Sequence, residues 1–240
     1  MKTAKSLPAS KDAEPSSAPS SPARRTQAER SSAMRERLLA AAIESLSQDG
    51  YAASTLSSIV RRAGVSRGAQ VHHYPNKQAL MLDVVDDLLR RVYGELGRTM
   101  LSIAEEEDRL DALVSMLWKG IYSTPIFSAY LELQVTAQRD PALARALGVM
   151  WQHTQDLFNP AIEHYFAPRP GVEPQLVQTL FYQLTHLMTG LVAQGQDVDP
   201  DALTQQLALW KRQARVLMRA RKVQAAPPRP PQWNKGSEEA

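Results

Sequence analysis

The stretch that most constrains the fold runs from Thr55 to Lys77, TLSSIVRRAGVSRGAQVHHYPNK, and holds two short helical segments joined by a glycine turn. Thr55 is placed to cap the first, because its hydroxyl can accept one of the backbone N–H groups that a helix start leaves free. Leu56, Ile59, Val60 and Ala63 then recur at the three- and four-residue spacing of one buried face. Gly64 ends the segment, where the reversal needs a left-handed residue that glycine adopts without a Cβ penalty. Val65 turns inward and Ser66 caps a second helix from Arg67 through Tyr74, which Pro75 stops. Asn76 caps a longer helix. Its first-turn Lys77 sits where the helix dipole disfavours a cation, a penalty that a nearby phosphate would reverse. The pattern is a helix-turn-helix whose second helix is basic and carries His72 and His73.

The flanks fit a small bundle built around that motif. Ser31 or Ser32 can cap a preceding helix with the apolar stripe Met34, Leu38, Leu39, Ala42, Ile43 and Leu46, which Gly50 ends before Tyr51 packs back. After Lys77, the positions Leu80, Met81, Val84, Val85, Leu88, Leu89 and Val92 continue a single helix out of the bundle, making it a mechanical link to whatever follows.

From about Ser31 to Leu82 this pattern resembles the DNA-binding domain of the TetR family of bacterial transcription regulators. The resemblance rests on LLAAAIESLSQDGY, the run T-x-x-x-I-V-x-x-A-G-V-S-R-G-A, and the HHYPNK ending. It implies an all-α chain with an N-terminal three-helix DNA-binding domain and a larger helical domain that binds a ligand and dimerises. The implied partners are double-stranded DNA, a second copy of the chain and a small, largely apolar effector. The residues expected at DNA are Thr55, Ser66, Arg67, Gln70, His72, His73 and Lys77. One departure stands out: family members usually carry Leu-Tyr where this chain has Gln70-Val71. Gln70 either reads an adenine edge through its amide or is half-buried and bonds a neighbouring helix.

Charge distribution agrees with a polyanionic partner. The whole chain carries +3, but from Arg24 to Lys77 nine Lys/Arg stand against four Asp/Glu, leaving the remainder slightly acidic. Zero cysteines exclude disulfides, thiolate metal sites and a cysteine nucleophile. No local signature of a phosphate loop, nucleophile elbow or HExxH site occurs, so no enzyme, cofactor or metal is expected. His72 and His73 point about 100° apart on a helix and cannot chelate one ion. With no long apolar run and no signal-peptide core in the first 37 residues, neither membrane insertion nor secretion is indicated, and the expected location is cytoplasmic.

The expected organisation is a Ser/Pro-rich disordered tail over 1–23, with Arg24, Arg25 and Arg30 at its junction to the bundle; a DNA-binding domain over 24–76; an effector and dimerisation domain over 77–223; and a Pro-rich tail over 224–240. In the third segment helices are expected over 108–122, 124–138, 140–166, 173–194 and 199–223. The last two carry the stripes Leu176, Leu180, Leu184, Leu187, Leu191 and Leu203, Leu207, Trp210, Val216, Leu217. An apolar cavity with polar points is expected among Trp118, Tyr122, Tyr130, Gln134, Trp151, Thr154, Phe181 and His186. Glu132, flanked by apolar residues, is expected to face a cationic ligand or to pair with Arg139 or Arg145.

Overall fold

A computed structural model describes residues 26–103, 108–195 and 199–223. The expected tails, with Arg24 and Arg25, lie outside the described residues. Among the described residues the chain forms nine α-helices, a π-helical turn and one two-stranded ribbon, so the all-α expectation holds with that small addition.

The first helix, α1 (Gln27–Ala53), begins earlier than the Ser31–Ser32 start expected from sequence. Thr26 caps it in a reciprocal box: its Oγ1 accepts the Glu29 N–H at 3.2 Å and the Glu29 carboxylate accepts the Thr26 N–H at 2.7 Å. Gly50, at φ 76 and ψ 170, breaks the helix and offsets its last turn. In α2 (Leu56–Ala63) Thr55 caps as expected, accepting the Ser58 N–H at 3.1 Å, and Gly64 closes the helix in the left-handed region at φ 60 and ψ 40. The next two helices are α3 (Arg67–His73) and α4 (Lys77–Ser102), the latter capped by Asn76, whose Oδ1 accepts the Ala79 N–H at 2.8 Å.

The rest comprises α5 (Arg109–Leu117), the π turn (Trp118–Tyr122), α6 (Pro125–Ala137), α7 (Pro141–Tyr165), α8 (Pro174–Ala193) and α9 (Pro200–Leu217). Strand β1 (Phe166–Pro168) pairs antiparallel with β2 (Met218–Ala220), Phe166 opposite Ala220. This corrects the expectation of helix up to Val223. Met218 is buried, the Arg221 N–H reaches the Tyr165 carbonyl at 2.7 Å, and the Arg109 guanidinium donates to the carbonyls of Arg221 and Val223. These long-range bonds satisfy the extended backbone better than a frayed helix end would.

Two apolar cores organise the molecule. One gathers α1, α2, the start of α4 and the inner faces of α6 and α7, with Leu38, Ile59, Leu80 and Leu133 fully buried. The bundle around the helix-turn-helix is therefore closed by α6 and α7. The other core, around Phe181, Tyr165, Leu113 and Trp210, joins α5 to α8 and α9. On the last two helices Leu176 and Val216, read from sequence as inward, are 42% and 67% exposed, and Leu209 on α9 is exposed as well.

Candidate nucleic-acid interface and apolar cavity

On α3, Arg67, Gly68, Val71 and His72 stand exposed on adjoining positions of a helix face, and His73 is half-buried. Val71, at 59% exposure, is a residue the sequence reading did not single out for contact; an apolar side chain in this position suits a thymine methyl. Gln70 is turned the other way. It is 5% exposed and its amide donates to the Tyr74 carbonyl at the end of its own helix, so it does not present an amide to a base edge. Of the two readings open from sequence, burial is the one the geometry takes, though the partner is the end of α3 itself. Thr55 and Ser66 are exposed at the ends of α2 and α3, and the Ser66 carbonyl accepts the Gln70 N–H at 3.2 Å.

Several cations that the sequence assigns to the basic segment are engaged inside the protein. Arg35 Nε donates to Asp83 at 2.9 Å and its second nitrogen completes a bidentate pair, while the Tyr74 hydroxyl donates to the same carboxylate. This knot ties α1, the end of α3 and α4 together. Burial alone would raise the Asp83 carboxyl, but the hydrogen bonds from Arg35 and Tyr74 outweigh it and hold Asp83 below its ordinary range. Arg37 donates to the Ala63 and Gly64 carbonyls at 2.7 and 2.9 Å, closing the free end of α2. Arg62 bonds Gln48 and Asp49, each at 2.7 Å. Arg61 and Arg67 remain exposed, without an ion pair among the described residues.

Lys77 departs from its expected place. Its ammonium lies 3.7 Å from the centroid of the Tyr51 ring and donates to the Tyr51 carbonyl, so it is turned inward and not toward a backbone phosphate. Burial lowers its pKa. The carbonyl and the ring face offset the helix dipole that makes this position unfavourable for a cation. Glu132, on α6, meets neither Arg139 nor Arg145; its Oε2 accepts the Tyr51 N–H at 2.8 Å and packs against Gly50, where an added Cβ would sit 3.3 Å away. Tyr51 is thus gripped by its N–H from α6 and by its carbonyl and ring from α4. This junction joins the helix-turn-helix bundle to the helices behind it.

An apolar cavity of about 90 Å³ lies among α4, the π turn, α6, α7 and α8. Of the expected lining residues Tyr122, Tyr130, Trp151 and Thr154 do line it. The other four do not. Trp118 packs against the neighbouring core, Phe181 is fully buried within it, and Gln134 and His186 are exposed. Their helix phase, set by packing against different neighbours, carries them away. Sequence reading missed the α4 wall: Leu88, Leu89, Val92 and Leu96 face the cavity, with Ile121, Ile126 and Thr185 opposite. No charged residue lines it. The Thr154 and Thr185 hydroxyls donate to carbonyls of their own helices. The Tyr122 hydroxyl is buried, with its pKa pushed up by desolvation, and has no hydrogen bond among the described residues. Tyr130, pushed up to about 12 by burial, accepts a bond from Gln134.

Residues 38–84 match the family model described as bacterial regulatory proteins, tetR family. Over 129 residues the chain is 40% identical to the HTH-type transcriptional regulator CymR of Pseudomonas putida, an alignment covering 53% of this chain and 62% of that one. It is 30% identical over 114 residues to the HTH-type transcriptional regulator BetI of Agrobacterium fabrum, covering 47% and 55%. Both alignments span less than two thirds of the relative. The fold is shared with a TetR transcription regulator from Haloarcula marismortui at a TM-score of 0.58 and 19% identity, over 78% of this chain and 100% of that one. Among the described residues, no helix is long and apolar enough to cross a membrane.

Proposed function

Because the chain belongs to the TetR family of bacterial regulatory proteins, we propose that it is a DNA-binding transcriptional regulator, a repressor released from its operator by a small apolar effector. The observation that carries this reading is the double role of α4. Its first half, Leu80 to Val85, is buried in the core of the helix-turn-helix bundle, and its continuation, Leu88 to Leu96, walls the cavity. A molecule that fills the cavity pushes directly on the helix that positions α3. Release then depends on the difference in the effector's affinity for the two orientations of that helix, not on affinity alone.

The protein acts as a homodimer on a palindromic operator, with its two α3 helices about one DNA turn apart, roughly 34–36 Å. Leu176, Leu209 and Val216, exposed on α8 and α9, supply the apolar surface that a second copy covers. Within each head, Arg67, Val71 and His72 meet base edges, with His73 beside them. Thr55, Ser66 and Arg61 meet phosphates, while Lys77 supports the head from within.

The test is operator release. DNA selected from a pool of genomic fragments is bound by the full chain, and compounds that raise its melting temperature are added. Compounds that stabilise the protein and also dissociate the complex support the reading. Stabilisers that leave the complex intact contradict it. Replacing Leu89 with Trp, which fills the cavity from the α4 side, is expected to abolish both responses.

A further inference from the structure

The apolar cavity does not stand alone. A second cleft lies against it on the outer side of α4, lined by Arg90, Arg91, Glu95 and Arg98, and the two share Val92, Ile121 and Ile126 as their common wall. The placement follows from helix geometry. Leu88, Val92 and Leu96 form the stripe facing the cavity, and Arg91, Glu95 and Arg98 form the next stripe round the helix. Three guanidinium groups therefore border a space with no charged walls, against the carboxylates of Glu95 and of Asp87, which pairs with Arg91.

Those arginines are unequally engaged. Arg98 bonds Glu95 through Nε at 3.1 Å, and Arg91 pairs with Asp87 at 2.7 Å, while Arg90 is exposed and has no ion pair among the described residues. Glu95 is held close to the π turn, because Gly120 has no side chain: a Cβ there would lie 2.6 Å from Glu95 Oε1. The Glu95 carboxylate is thereby engaged by Arg98, as Asp87 is by Arg91, which leaves Arg90 as the surplus cation of the cleft beside an apolar chamber.

We infer that the effector is an amphipathic monoanion, its apolar body in the cavity and its carboxylate at Arg90 and Arg91, a conclusion that rests on the effector reading above. The charges decide the class. A buried carboxylate within the cavity would have no cation and would be expensive, whereas one in the adjoining cleft gains charge-assisted hydrogen bonds. A cationic ligand would meet Arg90, whose charge no ion pair among the described residues offsets. The size is also bounded. A cavity needs about 10–15 Å³ to hold one water, so about 90 Å³ takes an apolar body of roughly six to nine heavy atoms.

The experiment is calorimetric titration of the full-length protein with three matched probes, 3-phenylpropanoate, 3-phenylpropan-1-ol and 3-phenylpropan-1-amine. The acid is expected to bind about tenfold tighter than the alcohol, the worth of one charge-assisted bond at a half-exposed site, and the amine weakest. In the Arg90→Gln/Arg91→Gln double variant the acid falls to the level of the alcohol, and the alcohol is unchanged. No measurable acid binding, an alcohol that binds as well as the acid in the wild type, or an acid preference that survives in the variant overturns the proposal. Operator release separates the two readings. Release by the alcohol or amine with no preference for the acid removes the anion and leaves the effector; tight acid binding without release keeps the anion site and removes its role as effector.

Discussion

Replacing Glu132 with Ala removes the α6 carboxylate that holds the Tyr51 N–H at 2.8 Å, 81 residues away in sequence. A hydrogen bond to a charged acceptor contributes about 1.5–3 kcal/mol when well buried. Glu132 is half-buried, so water replaces part of what is lost, and the expected cost is about 1–2 kcal/mol. At about 2–4 °C per kcal/mol for a chain of this size, that is a fall of about 2–8 °C in Tm. Glu132→Gln keeps an oxygen of the same reach and should lose less than half as much. Local opening gives the sharper readout: hydrogen exchange at the Tyr51 amide should accelerate in the Ala variant and stay slow in the Gln variant. Because the same bond links α6 to the bundle, the Ala variant should also respond less to effector at equal effector occupancy. A Tm within 1 °C of wild type, or Gln and Ala variants that behave alike, would refute this account of the junction.

Asp83→Asn should destabilise the fold by about 1 kcal/mol at neutral pH, since Arg35 is partly exposed and regains water. The folded pKa of Asp83 lies below its unfolded value of about 3.9, so its contribution is complete above that pH and disappears as pH falls through the folded value. The stability gap between wild type and variant, followed by urea denaturation from pH 7 downward, should therefore hold to about pH 4 and then close. Gln70→Ala should cost about 1 kcal/mol by orphaning the Tyr74 carbonyl while leaving operator preference at every base unchanged; a selective change at one base pair would contradict its buried position. Tyr122→Phe removes a buried hydroxyl with no hydrogen bond among the described residues, so unliganded stability should hold or rise slightly in a thermal melt.

The caps and turns around α2 and α4 were legible because each is local: Thr55, Gly64 and Asn76 meet their partners within a few residues. The orientation of Lys77 was not, because the group that turns it inward, Tyr51, lies 26 residues earlier and across a helix break. Glu132 was recognised as a charge out of place, but its partner is a backbone N–H, which no side-chain pairing rule can point to. The start of α1 was missed where Thr26 and Glu29, a legible capping box, lay beyond the better-placed serines. The cavity was half visible. Its aromatic lining could be guessed from composition, but Leu88, Leu89 and Val92 read as an unbroken core stripe, and periodicity identifies a buried face without telling whether the neighbouring helices fill the space against it. Gln134 and His186 show the converse error, polar residues on largely apolar helices that face solvent.

The most direct test of the account is a fluorescence-anisotropy titration against the selected operator, with excess scrambled competitor and at several salt concentrations, comparing wild type with Arg67→Ala, Val71→Ala and Lys77→Ala. The account predicts operator binding that survives competitor, loses sequence preference in the Arg67 and Val71 variants, and keeps both its preference and its salt slope in the Lys77 variant, whose defect is stability alone. Binding that falls equally with salt for every sequence, or a Lys77 variant with normal stability and a salt slope reduced by about one unit, would contradict it.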